Sequence, residues 1–124
     1  MVRVLLIDDD PTNLEFMRQL VHLEGHELAC AADGTQGIAL ARQIRPDLII
    51  CDVIMPHLGG WAVLETVRAD PELARVPIVL FSAAMNELWR AVALSRGANE
   101  VLAKPFNLEL WRNAIRRCLG QGQQ

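Results

Sequence analysis

The run Asp47-Leu48-Ile49-Ile50-Cys51-Asp52-Val53-Ile54-Met55-Pro56 is apolar for most of its length and delivers one carboxylate, Asp52, to its end. Continuous apolar character without strict alternation marks a central parallel strand covered by helices on both faces. In open α/β sheets ligands sit beyond the carboxyl ends of the strands, which places Asp52 where chemistry occurs. A lone Asp there also serves as a turn or helix-capping residue. The rest of the chain decides between the two.

Upstream, Val2 to Ile7 reads as a first strand, ended abruptly by Asp8-Asp9-Asp10-Pro11. Asp10 caps a helix with Pro11 in its first turn, where the fixed φ of proline is suited. That helix runs to about Glu24 with Leu14, Met17 and Val21 on one face, and Gly25 stops it. His22 and His26 flank Gly25 without a third ligand nearby, so they read as surface histidines rather than a metal site. Glu27 to Ala31 is a short second strand. Asp33-Gly34 opens a helix from Thr35 to Ile44, whose Gly37 and Ala41 permit close packing on a sheet, and Pro46 ends it.

Downstream of Asp52, Met55 to Gly60 is a loop of turn formers and Trp61 to Ala69 is helical. Asp70-Pro71 and Pro77 bound the connection into a fourth strand, Val76 to Phe81, which ends in Ser82. Asn86 caps a helix reaching Arg96, and Gly97-Ala98-Asn99 turns into a fifth strand, Glu100 to Ala103, which ends in Lys104-Pro105. Asn107 caps a last helix with Leu108, Trp111, Ile115 and Leu119 as its buried stripe. Gly120 to Gln124 is expected to be disordered. Five βα units joined by right-handed crossovers give an α/β fold, a five-stranded parallel sheet with helices on both faces.

With 124 residues, 52% of them hydrophobic, the chain fits one domain with a real core. A net charge of −3 and the lack of a Lys/Arg-rich run argue against direct nucleic acid binding or an anionic membrane surface. Cys30, Cys51 and Cys118 are odd in number and lie in apolar surroundings, which suits buried thiols in a reducing cytoplasm. The N-terminal apolar run is too short for a membrane span and leads directly into acidic residues, unlike a signal peptide. The expected location is cytoplasmic.

The strand ends carry Asp8 and Asp9, Asp52, Ser82 and Lys104, all at one edge of the sheet. Three neighbouring carboxylates repel unless a cation intervenes, and hard oxygen ligands with room for water favour Mg²⁺. A hydroxyl and an ammonium aimed at the same point are what phosphoryl transfer requires. A carboxylate is a competent nucleophile for forming an aspartyl-phosphate.

With these residues in place the chain resembles a response-regulator receiver domain of two-component signalling, of the CheY-like superfamily. The match is carried by Val4 to Asp10, Pro46 to Asp52, Met55-Pro56, Phe81-Ser82-Ala83 and Ala103-Lys104-Pro105-Phe106. The resemblance implies a flavodoxin-like (βα)5 fold with strand order 2-1-3-4-5, a receiver over residues 1–119, and a flexible tail or start of a linker over 120–124. It implies that Asp52 is the phosphoacceptor, taking a phosphoryl group from a sensor histidine kinase or a phosphotransfer protein. Asp9 would bind Mg²⁺ directly and Asp8 through water, with Asp52 and the main-chain carbonyl of Ile54 as further ligands and Mn²⁺ able to substitute.

By the same resemblance Ser82 would hydrogen-bond the phosphoryl group, Lys104 would pair with it, and Pro105 would be a cis-proline. Such a domain carries out its own phosphorylation and dephosphorylation rather than acting as an enzyme in the usual sense. It signals through the surface of its fourth helix, fifth strand and fifth helix to a protein partner or an attached output domain.

Four positions depart from the commoner pattern. Gly59 replaces an Asp often found after the phosphoacceptor, which loosens the loop, and Val101 stands where many members carry an aromatic switch residue. Ile54 and Ala84 occupy positions that influence dephosphorylation and cannot orient water. Trp89, with Ala93 and Arg96 near it, marks either a partner-binding face or the edge of the core, while Trp61 and Trp111 read as packing residues. Two other readings remain. One is a haloacid-dehalogenase-like phosphatase with Asp8 as nucleophile, since Asp8-Asp9-Asp10-Pro11-Thr12 fits its DxDxT pattern, although it leaves Asp52 without a role. The other is a non-phosphorylated binding scaffold.

Overall fold

The computed structural model describes residues 2–55, 58–103 and 107–120. Its strands are β1 (Arg3–Ile7), β2 (Glu27–Ala31), β3 (Leu48–Asp52), β4 (Ile78–Ser82) and β5 (Glu100–Ala103). Its helices are α1 (Pro11–Leu23), α2 (Gly34–Ile44), α3 (Gly60–Ala69), α4 (Glu87–Ser95) and α5 (Leu108–Cys118). Every strand pairing is parallel and the order is β2-β1-β3-β4-β5, as the resemblance implies.

β3 is central and buried along its whole length. Alternate residues of a strand face opposite sides. Leu5, Ile7, Ile49 and Cys51 join α2, α3 and α4 in one core, whereas Val4, Leu6, Leu48 and Ile50 join α1 and α5 in the other. Gly37 lets α2 approach β1 so closely that a Cβ there would collide with the Ile7 side chain.

The caps fall where the side chains indicate. Asp10 accepts from Thr12 N–H at 2.9 Å, Asp33 from Gln36 N–H at 2.9 Å, Asn86 from Trp89 N–H at 2.8 Å and Asn107 from Leu110 N–H at 3.1 Å.

Several expectations need correction. β4 starts at Ile78 rather than Val76, because Val76 N–H closes a turn on Leu73 O at 3.0 Å and Pro77 has no N–H to give. Leu108 is 46% exposed: it stands in the first turn of α5, and the buried face begins at Trp111 and continues through Ala114 and Ile115. Cys51 and Cys118 are buried and half-buried, but Cys30 is exposed, because β2 is an edge strand with an incompletely covered outer side. Gly120 takes the left-handed conformation after α5, its N–H on Arg117 O at 3.1 Å, and the rest of the expected tail, residues 121–124, lies outside the described residues.

α1 and α5 are joined by an ionic clamp that the sequence reading did not anticipate. Glu24, 8% exposed at its side chain, receives Arg116 through Nε at 2.7 Å and Nη2 at 3.2 Å, with Arg112 Nε at 3.4 Å. The hydrogen bond from Arg116, outweighing the opposing effect of burial, holds the Glu24 carboxyl below the usual glutamate range. Glu24→Gln is expected to lower stability at neutral pH by about 1–2 kcal/mol, below the cost of breaking a fully buried pair because the guanidiniums are partly hydrated. A folded-state pKa below the unfolded one stabilises at pH above the unfolded value and loses that contribution as pH falls through the folded value. The difference between native and Glu24→Gln proteins, read from urea unfolding, should therefore be full at pH 7 and shrink below the ordinary glutamate value of about 4.5.

Candidate functional site

The carboxyl ends of β1 and β3 bring together Asp8, Asp9 and Asp52, one oxygen from each lying within 4.8 Å of the others. Register explains this: Ile7 pairs with Cys51, so Asp8, just past β1, and Asp52, the last residue of β3, stand side by side. Asp8 and Asp52 are 6% and 5% exposed, while Asp9 is open to solvent. Among the described residues this is the one cluster of three or more such groups able to hold a metal ion.

Asp8 is held on both oxygens. Its Oδ1 accepts from Asp10 N–H at 3.1 Å and its Oδ2 from Asn13 Nδ2 at 2.7 Å. Asp52 Oδ1 accepts from Ile54 N–H at 3.1 Å, a turn that follows directly from the strand end. Mutual repulsion opposes three ionised groups so near one another, and a hard divalent cation with several waters relieves it. The donor set, all carboxylate oxygen with one side open, fits Mg²⁺.

Ser82 ends β4 beside this cluster, 3% exposed, and its Oγ accepts from Ala84 N–H at 3.1 Å. That leaves the hydroxyl proton to be donated outward. β5 ends at Ala103, in register with Ser82. Lys104 and Pro105 lie outside the described residues, as do Pro56 and His57. Ile54 is 65% exposed and Ala84 is also exposed, whereas Val101, 3% exposed, is core.

Two residues at the site escaped the sequence reading. Asn13 is 7% exposed and faces inward with Met17 and Leu20, so its signal is a polar residue at a core-facing position of a helical stripe. Gly60, first residue of α3, lies so close to the Asp52 turn that a Cβ would stand 2.8 Å from both Asp52 O and Val53 Cα. Only glycine lets α3 start there. Gly59 precedes α3 without a side-chain cap, yet its place is tight, since a Cβ would meet Val53 O at 2.8 Å.

Beyond Ser82 an apolar cavity of about 160 Å³ is lined by Val53, Trp61, Met85 and Trp89 among others. Trp61 and Trp89 pack with ring centroids 5.6 Å apart, and the Arg96 guanidinium sits 5.8 Å from the Trp61 ring centre. Ala93 is fully buried, so it belongs to the core and not to an exposed face with Trp89. Trp89, 48% exposed, covers the core edge with one side and meets solvent with the other. Trp111 is 1% exposed and packs edge-on against Phe81, as a packing residue should.

The relatives of this chain share its outline. Protein PilH of Pseudomonas aeruginosa is 30% identical over 96% of this chain and 98% of its own length. The chain spans about half the length of the longer curated relatives it matches. Among solved structures, chemotaxis response regulator CheY4 of Vibrio cholerae superposes with a TM-score of 0.89 at 30% identity, over 96% of this chain and 99% of that one. The receiver domain of sensor histidine kinase PA1611 from Pseudomonas aeruginosa, with a magnesium ion coordinated in its active-site cleft, gives a TM-score of 0.86 at 30% identity, over 96% and 98%. The family model of the response regulator receiver domain matches residues 4–116. Strand order, acidic cluster and this match agree, and the chain belongs to the receiver domains of two-component response regulators.

Proposed function

We propose that this receiver accepts a phosphoryl group on Asp52, in the cytoplasm, from the histidine of a sensor kinase or a phosphotransfer protein. The observation that carries the reading is the convergence of Asp8, Asp9 and Asp52 within 4.8 Å, two of them buried. Asp8, Asp9, Asp52 and the main-chain carbonyl of Ile54 would hold Mg²⁺, or Mn²⁺ in its place. When bound, the ion supplies positive charge that offsets the carboxylates and the incoming phosphoryl oxygens.

A carboxylate oxygen of Asp52 forms the new P–O bond as the P–N bond to the donor imidazole breaks, the imidazole departing with a proton. Ile54 N–H fixes the orientation of Asp52, and the Ser82 hydroxyl donates to a phosphoryl oxygen. Lys104 is assigned the pairing with the phosphoryl group on the resemblance alone. Mass measurement of the intact protein after exposure to a small phosphodonor, with and without Mg²⁺, tests the reading.

The output runs to the surface of α4, β5 and α5, and from there to a protein partner or an attached output domain. Val101 cannot supply an aromatic relay. Movement of the Ser82 hydroxyl toward the phosphoryl group instead repacks the cavity shared with Trp61 and Trp89 and so reaches α4, a local charge event biasing a two-state element.

Hydrolysis of the aspartyl-phosphate should be slow, because neither the exposed Ile54 nor Ala84 can orient an attacking water. Ala84→Asn is expected to shorten the phosphoryl lifetime about tenfold, equivalent to about 1.4 kcal/mol of barrier. The decay of phosphorylated protein by mass reads this directly, and rapid loss from the native chain would refute it.

A further inference from the structure

We infer that Asn13 is a positioning residue for the cation site, fixing the carboxylate of Asp8 against repulsion from Asp9 and Asp52; this rests on the reading of those three residues as the cation site. Asn13 lies three residues into α1, 7% exposed, on the face that carries Met17, Leu20 and Val21 into the core. A polar amide at such a place is costly unless hydrogen-bonded. Its bond is to Asp8 Oδ2, at 2.7 Å and buried, in the short range of charge-assisted contacts. An ionised carboxylate only accepts, so the NH₂ end of the amide is the end that faces it.

The geometry gives the amide a specific task. Asp8 Oδ1 is tied to Asp10 N–H, a contact within its own turn. Asn13 ties the other oxygen to a helix anchored in the core, so the carboxylate plane is fixed from two directions. Carboxylates within 4.8 Å of each other otherwise gain by rotating apart, and a cation would then have to draw them together again. Outer partners of metal-binding carboxylates typically change affinity by about 10–100-fold. Apolar packing alone would be better served at position 13 by Leu, which has nearly the same shape and no amide to satisfy.

The test is Mn²⁺ binding to the whole chain, followed by the electron paramagnetic resonance signal of the free ion, with Mg²⁺ as competitor. Native protein, Asn13→Leu and Asn13→Ser are compared, each also in an Asp8→Asn background. Asn13→Leu is expected to weaken binding about tenfold, within the range typical of outer-partner losses. In the Asp8→Asn background the same change should cost less than about twofold, the coupling expected of residues that act as a unit. Asn13→Ser, too short to reach Asp8, should behave like Asn13→Leu and serves if the latter does not fold. Native-like affinity in a folded variant overturns the inference. So does an equal loss in both backgrounds, which is what damage to the fold alone produces. Absence of Mn²⁺ and Mg²⁺ binding by the native chain would instead remove the cation reading itself, and this inference with it.

Discussion

Asp52→Asn is expected to abolish phosphoryl uptake entirely, while the native chain gains one phosphoryl group from a small phosphodonor only when Mg²⁺ is present. The effect is all or none on the proposed role of Asp52, because the substitution turns the nucleophilic carboxylate into a neutral amide, which is not a substitute nucleophile. The fold should survive, since Asn preserves shape and Ile54 N–H keeps an acceptor in the side-chain oxygen. Asp8→Asn leaves Asp52 in place and should lower uptake at limiting Mg²⁺ while remaining phosphorylatable at high Mg²⁺. The pair also separates a receiver from a phosphatase, in which Asp8 would be the nucleophile and its loss the total one. Persistent labelling of Asp52→Asn at another residue would overturn the assignment.

Arg68→Ala should be strongly destabilising, by about 2–4 kcal/mol in urea unfolding. The guanidinium of this α3 residue reaches four acceptors. Nε and Nη2 bind Gly97 O at 3.0 and 2.8 Å, Nη1 binds Ala74 O at 3.0 Å and Val76 O at 2.7 Å, and Nη2 also meets Asn99 Oδ1 at 2.9 Å. It thereby fastens the end of α3 to the connection before β4 and to the turn before β5. Asn99 Oδ1 in turn accepts from Ile78 N–H at 3.0 Å, so the network reaches the start of β4 itself. Arg68→Lys should recover little, because an ammonium cannot span acceptors that a planar fork reaches together. A loss below about 0.5 kcal/mol, the scale of an ordinary exposed substitution, would show that water replaces these contacts at no cost.

Much of this molecule is legible in one dimension because its signals are local. Asp10, Asn86 and Asn107 announce helix starts through short-range bonds to N–H groups two or three residues on. The unbroken apolar run of β3 declares a strand buried on both faces, and five βα units leave little freedom in topology. Asp8, Asp9, Asp52 and Ser82 could be nominated because each stands at a strand end, and parallel strands present those ends on one side. Leu108 and Ala93 show where periodicity stops: it gives the direction of a side chain, not what lies beneath it. Cys30 was misjudged for a related reason, since an apolar neighbourhood in sequence says nothing of a strand's place at the edge.

The order of elements and the residues at the strand ends, Asp52 among them, were thus determined by the sequence, because capping, periodicity and chain direction act over a few residues. Tertiary structure alone decided that Asn13 meets Asp8, that Arg68 gathers carbonyls from positions 74 to 97, that Glu24 is clamped by Arg112 and Arg116, and that Trp61 packs on Trp89. Except for the Asn13 contact and the reach of Arg68 to positions 74 and 76, these contacts join segments far apart in the sequence. Their bonds depend on distances that the chain acquires only when its two cores close on the central strand.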